Sequence, residues 1–133
     1  MSEKTILVVD DEVSIIDMLK EIFTMNGYKV VTAESAEKAL EILANQSIMV
    51  MFLDLKLPGM SGIELCKKIR KDNLIAIIHA FTGYVNLYGL IDCRAAGFDD
   101  FFVKPVDTNL LLEAAEHAFK KIARWKLEEY EVT

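Results

Sequence analysis

The chain has 133 residues, of which 53% are hydrophobic and 27% charged, and its formal net charge is −6. This length and composition fit one packed domain and exclude a disordered chain. The acidic balance argues against direct nucleic-acid binding, which requires a basic surface.

The first half of the chain begins with a strand pattern. Residues 5–9 are continuously apolar and β-branched, as in a strand buried on both faces. Apolar residues then recur at helical spacing over residues 15–23, and Gly27 ends this helix. Residues 29–32 predict a second strand, and Ser35 is placed to cap a second helix.

The middle of the chain repeats the pattern. Residues 48–53 predict the third and most hydrophobic strand. Ser61 and Glu64 form a capping box for a helix that continues through Ile69. Residues 75–81 predict the fourth strand.

The last third contains a fourth helix ended by Gly97, a strand at residues 101–103, and a final helix capped by Asp107. That helix is predicted to reach about Tyr130, roughly 35 Å, which exceeds the strands beneath it. We expect Leu111, Ala115, Phe119 and Ile122 to pack on the sheet, and Ala118, Trp125 and Glu129 to lie on an overhang. The predicted domain spans residues 1–121 and the helical extension residues 122–133.

The alternation predicts an α/β fold with a five-stranded parallel sheet and helices on both faces. The apolar runs are too short to cross a bilayer, and the first residues do not have the form of a signal peptide. We therefore expect a cytoplasmic protein without membrane contact. Cys66 and Cys93 lack metal or redox spacing and are expected to be reduced and buried. His79 is expected to be a buried structural histidine.

The informative polar residues follow apolar strands: Asp10 and Asp11 the first, Asp54 the third, Thr82 the fourth and Lys104 the fifth. In an open parallel sheet these ends share one crevice, where ligands bind. Carboxylates held close together repel unless a cation lies among them, and an all-oxygen ligand set favours Mg²⁺. Lys104 and Thr82 suit phosphate oxygens, and Asp54 is a carboxylate nucleophile of the kind that forms aspartyl phosphates.

Several motifs together resemble the receiver domains of two-component response regulators. The resemblance covers about Lys4 to Phe119. The matching residues are Asp10-Asp11, Leu53-Asp54-Leu55, Leu57-Pro58-Gly59-Met60-Ser61-Gly62, Phe81-Thr82-Gly83, Ala96-Gly97 and Val103-Lys104-Pro105.

The resemblance implies a flavodoxin-like sheet of order 2-1-3-4-5 and phosphorylation of Asp54 by a sensor histidine kinase or a phosphotransfer protein. It implies Mg²⁺ bound directly by Asp11 and Asp54, with Asp10 holding a metal-bound water and the Lys56 carbonyl completing the set. Thr82 resembles the switch hydroxyl.

Further implications of the resemblance concern the fifth strand and the output. Lys104 resembles the phosphate-binding lysine, and its bond to Pro105 is expected to be cis. Movement of the Thr82 hydroxyl toward the phosphoryl group would make room for Phe101, where the family often has Tyr. Tyr84 is hypothesised to slow dephosphorylation by hindering the attacking water. A further hypothesis makes the overhang of the last helix either a homodimer contact or the start of a signalling helix. In the alternative, Trp125 folds back onto the domain.

Three alternative functions stay open. An aspartate-nucleophile phosphatase would need a second acid two residues after Asp54, where this chain has Lys56. A flavin-binding electron carrier would need a phosphate-binding loop after the first strand, where the chain has Asp10 to Glu12. A degenerate receiver that acts only through protein contacts is disfavoured by the complete set of acceptor residues.

Overall fold

The computed structural model describes residues 4–83 and 86–126, with the side chain of Tyr88 excluded. Within these residues five strands alternate with five helices. The strands are β1 (Thr5–Val9), β2 (Lys29–Ala33), β3 (Val50–Asp54), β4 (Ile77–Thr82) and β5 (Asp100–Val103). The helices are α1 (Val13–Met25), α2 (Ala36–Asn45), α3 (Gly62–Asp72), α4 (Leu87–Ala96) and α5 (Thr108–Trp125).

All strand pairs are parallel, and the strand order is β2-β1-β3-β4-β5. The predicted fold class and strand order are therefore confirmed. The order reverses between β1 and β3, so the crevice at the carboxyl ends of these strands is the topological switch point. Pairing of Asp54 with Phe81 and of Thr82 with Val103 brings the ends of β3, β4 and β5 to one edge.

Alternate side chains of the central strands enter two separate cores, as the two-residue period of a strand requires. One core lies under α1 and α5 and contains Phe23, Phe52, Phe81 and Leu111. The other lies under α2, α3 and α4 and contains Leu7, Met51, Leu65 and Ile78. Because β1, β3 and β4 are covered on both faces, their sequences are almost uniformly apolar.

The helix termini follow the predicted signals. The side chains of Ser35, Ser61 and Asp107 each accept a hydrogen bond from a backbone N–H of the helix that follows. Gly97 ends α4 with φ of 110°, a left-handed conformation that favours glycine. The Lys104–Pro105 peptide bond is cis, as the resemblance implied.

Two strands begin and end later than the sequence pattern indicated. β3 ends at Asp54 and β4 at Thr82, so these residues terminate their strands instead of following them. The shift of β4 has a local cause, because the Asn73 side chain accepts hydrogen bonds from the N–H groups of Ile75 and Ala76. These contacts form a turn over residues that were predicted to be extended.

The packing of α5 corrects one prediction. Ala118 is buried with Leu111, Ala115 and Ile122, because residues spaced by three and four lie on one helical stripe. Phe119 is only partly buried and stacks on Tyr28 at 5.4 Å between ring centroids. Trp125 is 64% exposed, as expected of an overhang. The predicted continuation to Tyr130, including Glu129, lies outside the described residues.

Other expectations about buried residues are confirmed. Cys66 and Cys93 are free and buried. His79 is 3% exposed, its Nδ1 lies 2.9 Å from the Met51 carbonyl oxygen, and its ring stacks on Phe52. Burial lowers the pKa of His79, so its ring is neutral and Nδ1 carries the proton that it donates. Among the described helices, none is long and apolar enough to cross a membrane.

Candidate functional site

The carboxyl ends of the strands enclose a cleft of about 570 Å³. Its lining residues include Asp11, Glu12, Asp54, Lys56, Thr82 and Lys104. Asp10 lies behind these residues and is fully buried, and Asp54 and Thr82 are also buried. The structure thus brings together the six residues that the sequence singled out, which are all of those just named except Glu12.

Backbone contacts orient the two buried carboxylates. Oδ1 of Asp10 accepts a hydrogen bond from the Glu12 N–H at 2.9 Å, and Oδ1 of Asp54 accepts one from the Lys56 N–H at 3.3 Å. Gly62 lies so close to the backbone of Asp54 that a Cβ at position 62 would collide with the Asp54 carbonyl oxygen. Glycine at the start of α3 is therefore required for the chain to pass this close to the acceptor.

Lys104 is the centre of the charge arrangement. Its Nζ lies 3.0 Å from Asp10 Oδ2, 3.2 Å from Glu12 Oε1 and 3.4 Å from Asp54 Oδ2. The ammonium also lies 5.3 Å from the centroid of the Phe81 ring, at cation–π distance. One cation is therefore shared among three carboxylates.

This excess of negative charge changes the pKa values of the site. Burial and the neighbouring Asp10 raise the pKa of Asp54 to about 6, although Lys104 opposes the change. Burial alone would lower the pKa of Lys104, but its contacts with Asp10, Asp54 and Glu12 outweigh it and raise that pKa. Lys104 is therefore a firmly protonated cation, and Asp54 carries an electrostatic penalty that a further cation would relieve.

The donor set fits a hard divalent cation. Carboxylate oxygens of Asp10, Glu12 and Asp54 all lie within 4.8 Å of one another. Oδ2 of Asp10 is buried, and the ammonium of Lys104 lies 3.0 Å from it, in poor alignment for a hydrogen bond. A buried carboxylate oxygen without a well-aligned hydrogen bond, within an all-oxygen cluster, is suited to Mg²⁺ or its bound water.

The acidic cluster overlaps in part with the metal ligands that the resemblance implies, which stay a prediction. Asp11 lines the cleft but is exposed, and its carboxylate is not part of the closest described group. Glu12, which no sequence motif singled out, completes the closest described group together with Asp10 and Asp54. The sequence offered one signal for Glu12, which is the third acid in a run directly before α1 and therefore adjoins the same crevice.

The residues predicted to take part in switching and in dephosphorylation have different outcomes. Phe101 is 40% exposed on β5, so its ring is not fully packed into the core. Tyr84 lies outside the described residues, and its effect on dephosphorylation stays a prediction. Thr82 lines the crevice, and its backbone carbonyl accepts a hydrogen bond from the Lys104 N–H at 2.8 Å.

The fold and the crevice together define a flavodoxin-like α/β domain with an acidic site at its switch point. Comparison with known proteins identifies the family. A family model described as the response regulator receiver domain matches residues 6–116. The chain belongs to the response regulator receiver domain family of two-component systems.

Individual relatives agree with this assignment. Sporulation initiation phosphotransferase F of Bacillus subtilis is 34% identical over 118 residues, which cover 87% of this chain and 93% of that protein. A CheY-like receiver domain protein from Methanospirillum hungatei has a TM-score of 0.89 and 33% identity, covering 92% of this chain and 98% of that one.

Many other relatives are longer proteins. A cyclic di-GMP phosphodiesterase of Thermotoga maritima is 34% identical over 116 residues, but the match covers 87% of this chain and only 31% of that protein. The next four curated relatives are transcriptional regulators, of which the chain covers 41% to 44%. The chain therefore spans less than half the length of each of these relatives.

Proposed function

We propose that Asp54 accepts a phosphoryl group from a phosphohistidine of a sensor histidine kinase or of a phosphotransfer protein. The observation that carries this proposal is the position of Asp54. Its carboxylate is buried at the tip of β3, opens onto the cleft and lies 3.4 Å from the ammonium of Lys104. An acceptor needs this combination of an accessible nucleophile and fixed positive charge.

The proposed transfer exchanges one bond to phosphorus for another. An oxygen of Asp54 attacks phosphorus, an O–P bond forms, and the P–N bond to the donor imidazole breaks. The imidazole keeps the electron pair of that bond and takes up a proton from solvent. Lys104 contributes positive charge to the phosphoryl oxygens, and the Thr82 hydroxyl donates a hydrogen bond to one of them.

Mg²⁺ is the proposed cofactor, held by Asp10, Asp11 and Asp54 together with the Lys56 carbonyl. When bound, it neutralises the charge that develops on the phosphoryl oxygens. The chain's own part is to fix the carboxylates through the Glu12 and Lys56 N–H groups and to exclude bulk water from Asp10. We propose no reaction beyond phosphoryl uptake and its hydrolysis.

The proposed output is a change of the surface formed by α4, β5 and α5. Among the described residues, the exposed apolar side chains of this surface include Leu87, Ile91, Phe101, Val103 and Leu110. Movement of Thr82 toward a phosphoryl group would free space next to β5, into which Phe101 can turn. A Phe lacks a hydroxyl to anchor either orientation, so phosphorylation should shift its rotamer population only in part.

The assignment of partners rests on the family and its relatives. The relative that the chain covers almost completely is named a phosphotransferase of sporulation initiation. We propose that this chain likewise exchanges phosphoryl groups with protein partners in the cytoplasm. Residues 122–133 are proposed to extend α5 beyond the receiver domain of residues 1–121, as a dimer contact or signalling helix.

Incubation with acetyl phosphate and Mg²⁺, followed by intact-mass measurement, tests the acceptor assignment. The full chain should gain the mass of one phosphoryl group, which is lost after exposure to alkali. Asp54→Asn should gain none, and Asp17→Asn, a matched change at an exposed position on α1, should behave as the native chain does. A gain of mass by Asp54→Asn would overturn the assignment.

Sedimentation velocity tests the proposed dimer. The native chain should dimerise as its concentration rises, and Trp125→Ala should weaken this association because it removes an exposed aromatic side chain. A monomer at every concentration, with and without phosphorylation, would remove the dimer.

A further inference from the structure

Glu12 occupies the N-cap position of α1 but does not cap it. Its backbone is extended, with φ of −91° and ψ of 110°, and its side chain makes no hydrogen bond to the first turn of the described helix. Negative side chains near a helix N-terminus are ordinarily stabilised by those free N–H groups. The Glu12 carboxylate is instead directed into the crevice, where Oε1 lies 3.2 Å from Lys104 Nζ.

The three carboxylates around Lys104 differ in their exposure. The side chain of Asp10 is fully buried and that of Asp54 is 5% exposed, whereas that of Glu12 is 58% exposed. Asp10 and Asp54 are also fixed by backbone N–H groups. Glu12 is therefore the partner of Lys104 at the rim of the cleft, on the side facing solvent.

Lys104 and a divalent cation compete for the same oxygens. Nζ lies 3.0 Å from Asp10 and 3.4 Å from Asp54, so a cation bound to these carboxylates would stand directly beside the ammonium. Two positive charges at that distance repel strongly in a partly buried site. Cation binding therefore requires Lys104 to give up its contacts with the buried carboxylates.

We propose that Glu12 is a positioning residue that retains the ammonium of Lys104 at the rim of the cleft when a divalent cation takes over Asp10 and Asp54. This inference rests on the proposed function and assigns Glu12 a part in it. Lys104 rotates about its aliphatic stem, beside the Phe81 ring, and Glu12, one of three carboxylates around it without the cation, becomes its remaining charged partner. It then stands at the mouth of the cleft, where an incoming phosphoryl group arrives.

The alternative roles of Glu12 make different predictions. If Glu12 acts only through its charge, or binds the cation directly, its loss weakens binding of Mg²⁺ whether or not Lys104 is present. Removing Lys104 would even increase that effect, since the ammonium no longer screens the Glu12 charge. If Glu12 instead retains Lys104, its loss matters most when Lys104 is present.

A double-mutant cycle on Mg²⁺ affinity separates these roles. Isothermal titration calorimetry of the full chain measures Mg²⁺ binding to the native protein, Glu12→Gln, Lys104→Met and the double variant. Asp17→Asn controls for the change in net charge. Lys104→Gln replaces Lys104→Met should the latter fail to fold, as judged by circular dichroism.

We expect Glu12→Gln to weaken Mg²⁺ binding in the native background by at least about threefold more than in the Lys104→Met background. In metal-free buffer, the unfolding free energies of the same four proteins should show favourable coupling between the two residues. An equal or larger loss of Mg²⁺ affinity in the Lys104→Met background overturns the role of Glu12.

Failure of the inference is distinguishable from failure of the proposed function. A native chain that binds Mg²⁺ and is phosphorylated on Asp54, but shows no coupling between Glu12 and Lys104, refutes only the positioning role. Absence of Mg²⁺ binding in all four proteins refutes both, because the cation site itself is then wrong.

Discussion

Replacing the acceptor Asp54 with Asn should stabilise the metal-free protein. In the folded chain Asp54 is buried beside Asp10, and its pKa rises from 3.8 to about 6. At neutral pH the ionised carboxylate is therefore less favourable in the folded than in the unfolded chain. Asn keeps the shape of the side chain and removes the charge, so the repulsion with Asp10 disappears.

The magnitude follows from the pKa shift. A shift of roughly two units at about 1.4 kcal/mol per unit gives an upper limit of roughly 3 kcal/mol at neutral pH. Substitution also removes one of the carboxylates that hold Lys104, which offsets part of this gain. We therefore expect Asp54→Asn to raise the free energy of unfolding by about 1–2 kcal/mol at pH 7.

The same pKa shift also fixes how the effect depends on pH. The folded pKa lies above the unfolded value, so the unfolded chain releases this proton first and native stability falls as pH rises from about 3.8 to about 6. The gain from Asp54→Asn should accordingly vanish near pH 4. Urea unfolding in EDTA, followed by circular dichroism, measures the unfolding free energy at pH 4 and at pH 7. The control Asp17→Asn should show neither the gain at pH 7 nor its dependence on pH. A destabilised Asp54→Asn, or a gain of equal size at pH 4 and pH 7, would refute the reasoning.

Three further predictions concern the packing of the domain and of the acceptor. Arg70→Ala should lower the unfolding free energy by about 3 kcal/mol, because the guanidinium binds Asp99 at 2.8 Å and four carbonyl oxygens. Arg70→Lys should lower it by less, and equal decreases for the two variants in urea unfolding would contradict this. The buried His79 has a pKa below 6.5, so the unfolded chain gains a proton first as pH falls below about 6.5, and this costs native stability. His79→Gln should not lose stability in this way as pH falls. Identical pH profiles of the unfolding free energy for His79→Gln and the native chain would contradict this. Gly62→Ala should cost about 2 kcal/mol and slow phosphorylation of Asp54, since its Cβ has no room beside the acceptor; an unchanged labelling rate would count against this packing.

The sequence predicted the fold because its signals are local. Strand runs, cap residues and Gly97 each depend on a few neighbouring positions, and parallel strands leave little choice of topology. The exact ends of β3 and β4 depend on side-chain contacts such as those of Asn73, which alternation does not reveal. Ala118 was misplaced because a small residue fits a buried stripe as readily as an exposed one.

The candidate site was predictable to the level of residue identity but not of pairing. Strand ends indicated that Asp10, Asp54 and Lys104 would meet, and they do. The contact between Glu12 and Lys104 joins residues that are 92 positions apart. It depends on how the N-terminus of α1 is oriented, and no motif encodes that orientation.

Direct location of the phosphoryl group tests the central claim most sharply. After incubation with acetyl phosphate and Mg²⁺, borohydride reduces an aspartyl phosphate to homoserine, which peptide mass mapping places in the chain. We expect the reduced residue at position 54, and none when EDTA replaces Mg²⁺. Reduction at another carboxylate, or a phosphoryl group that resists both borohydride and alkali, would contradict the account.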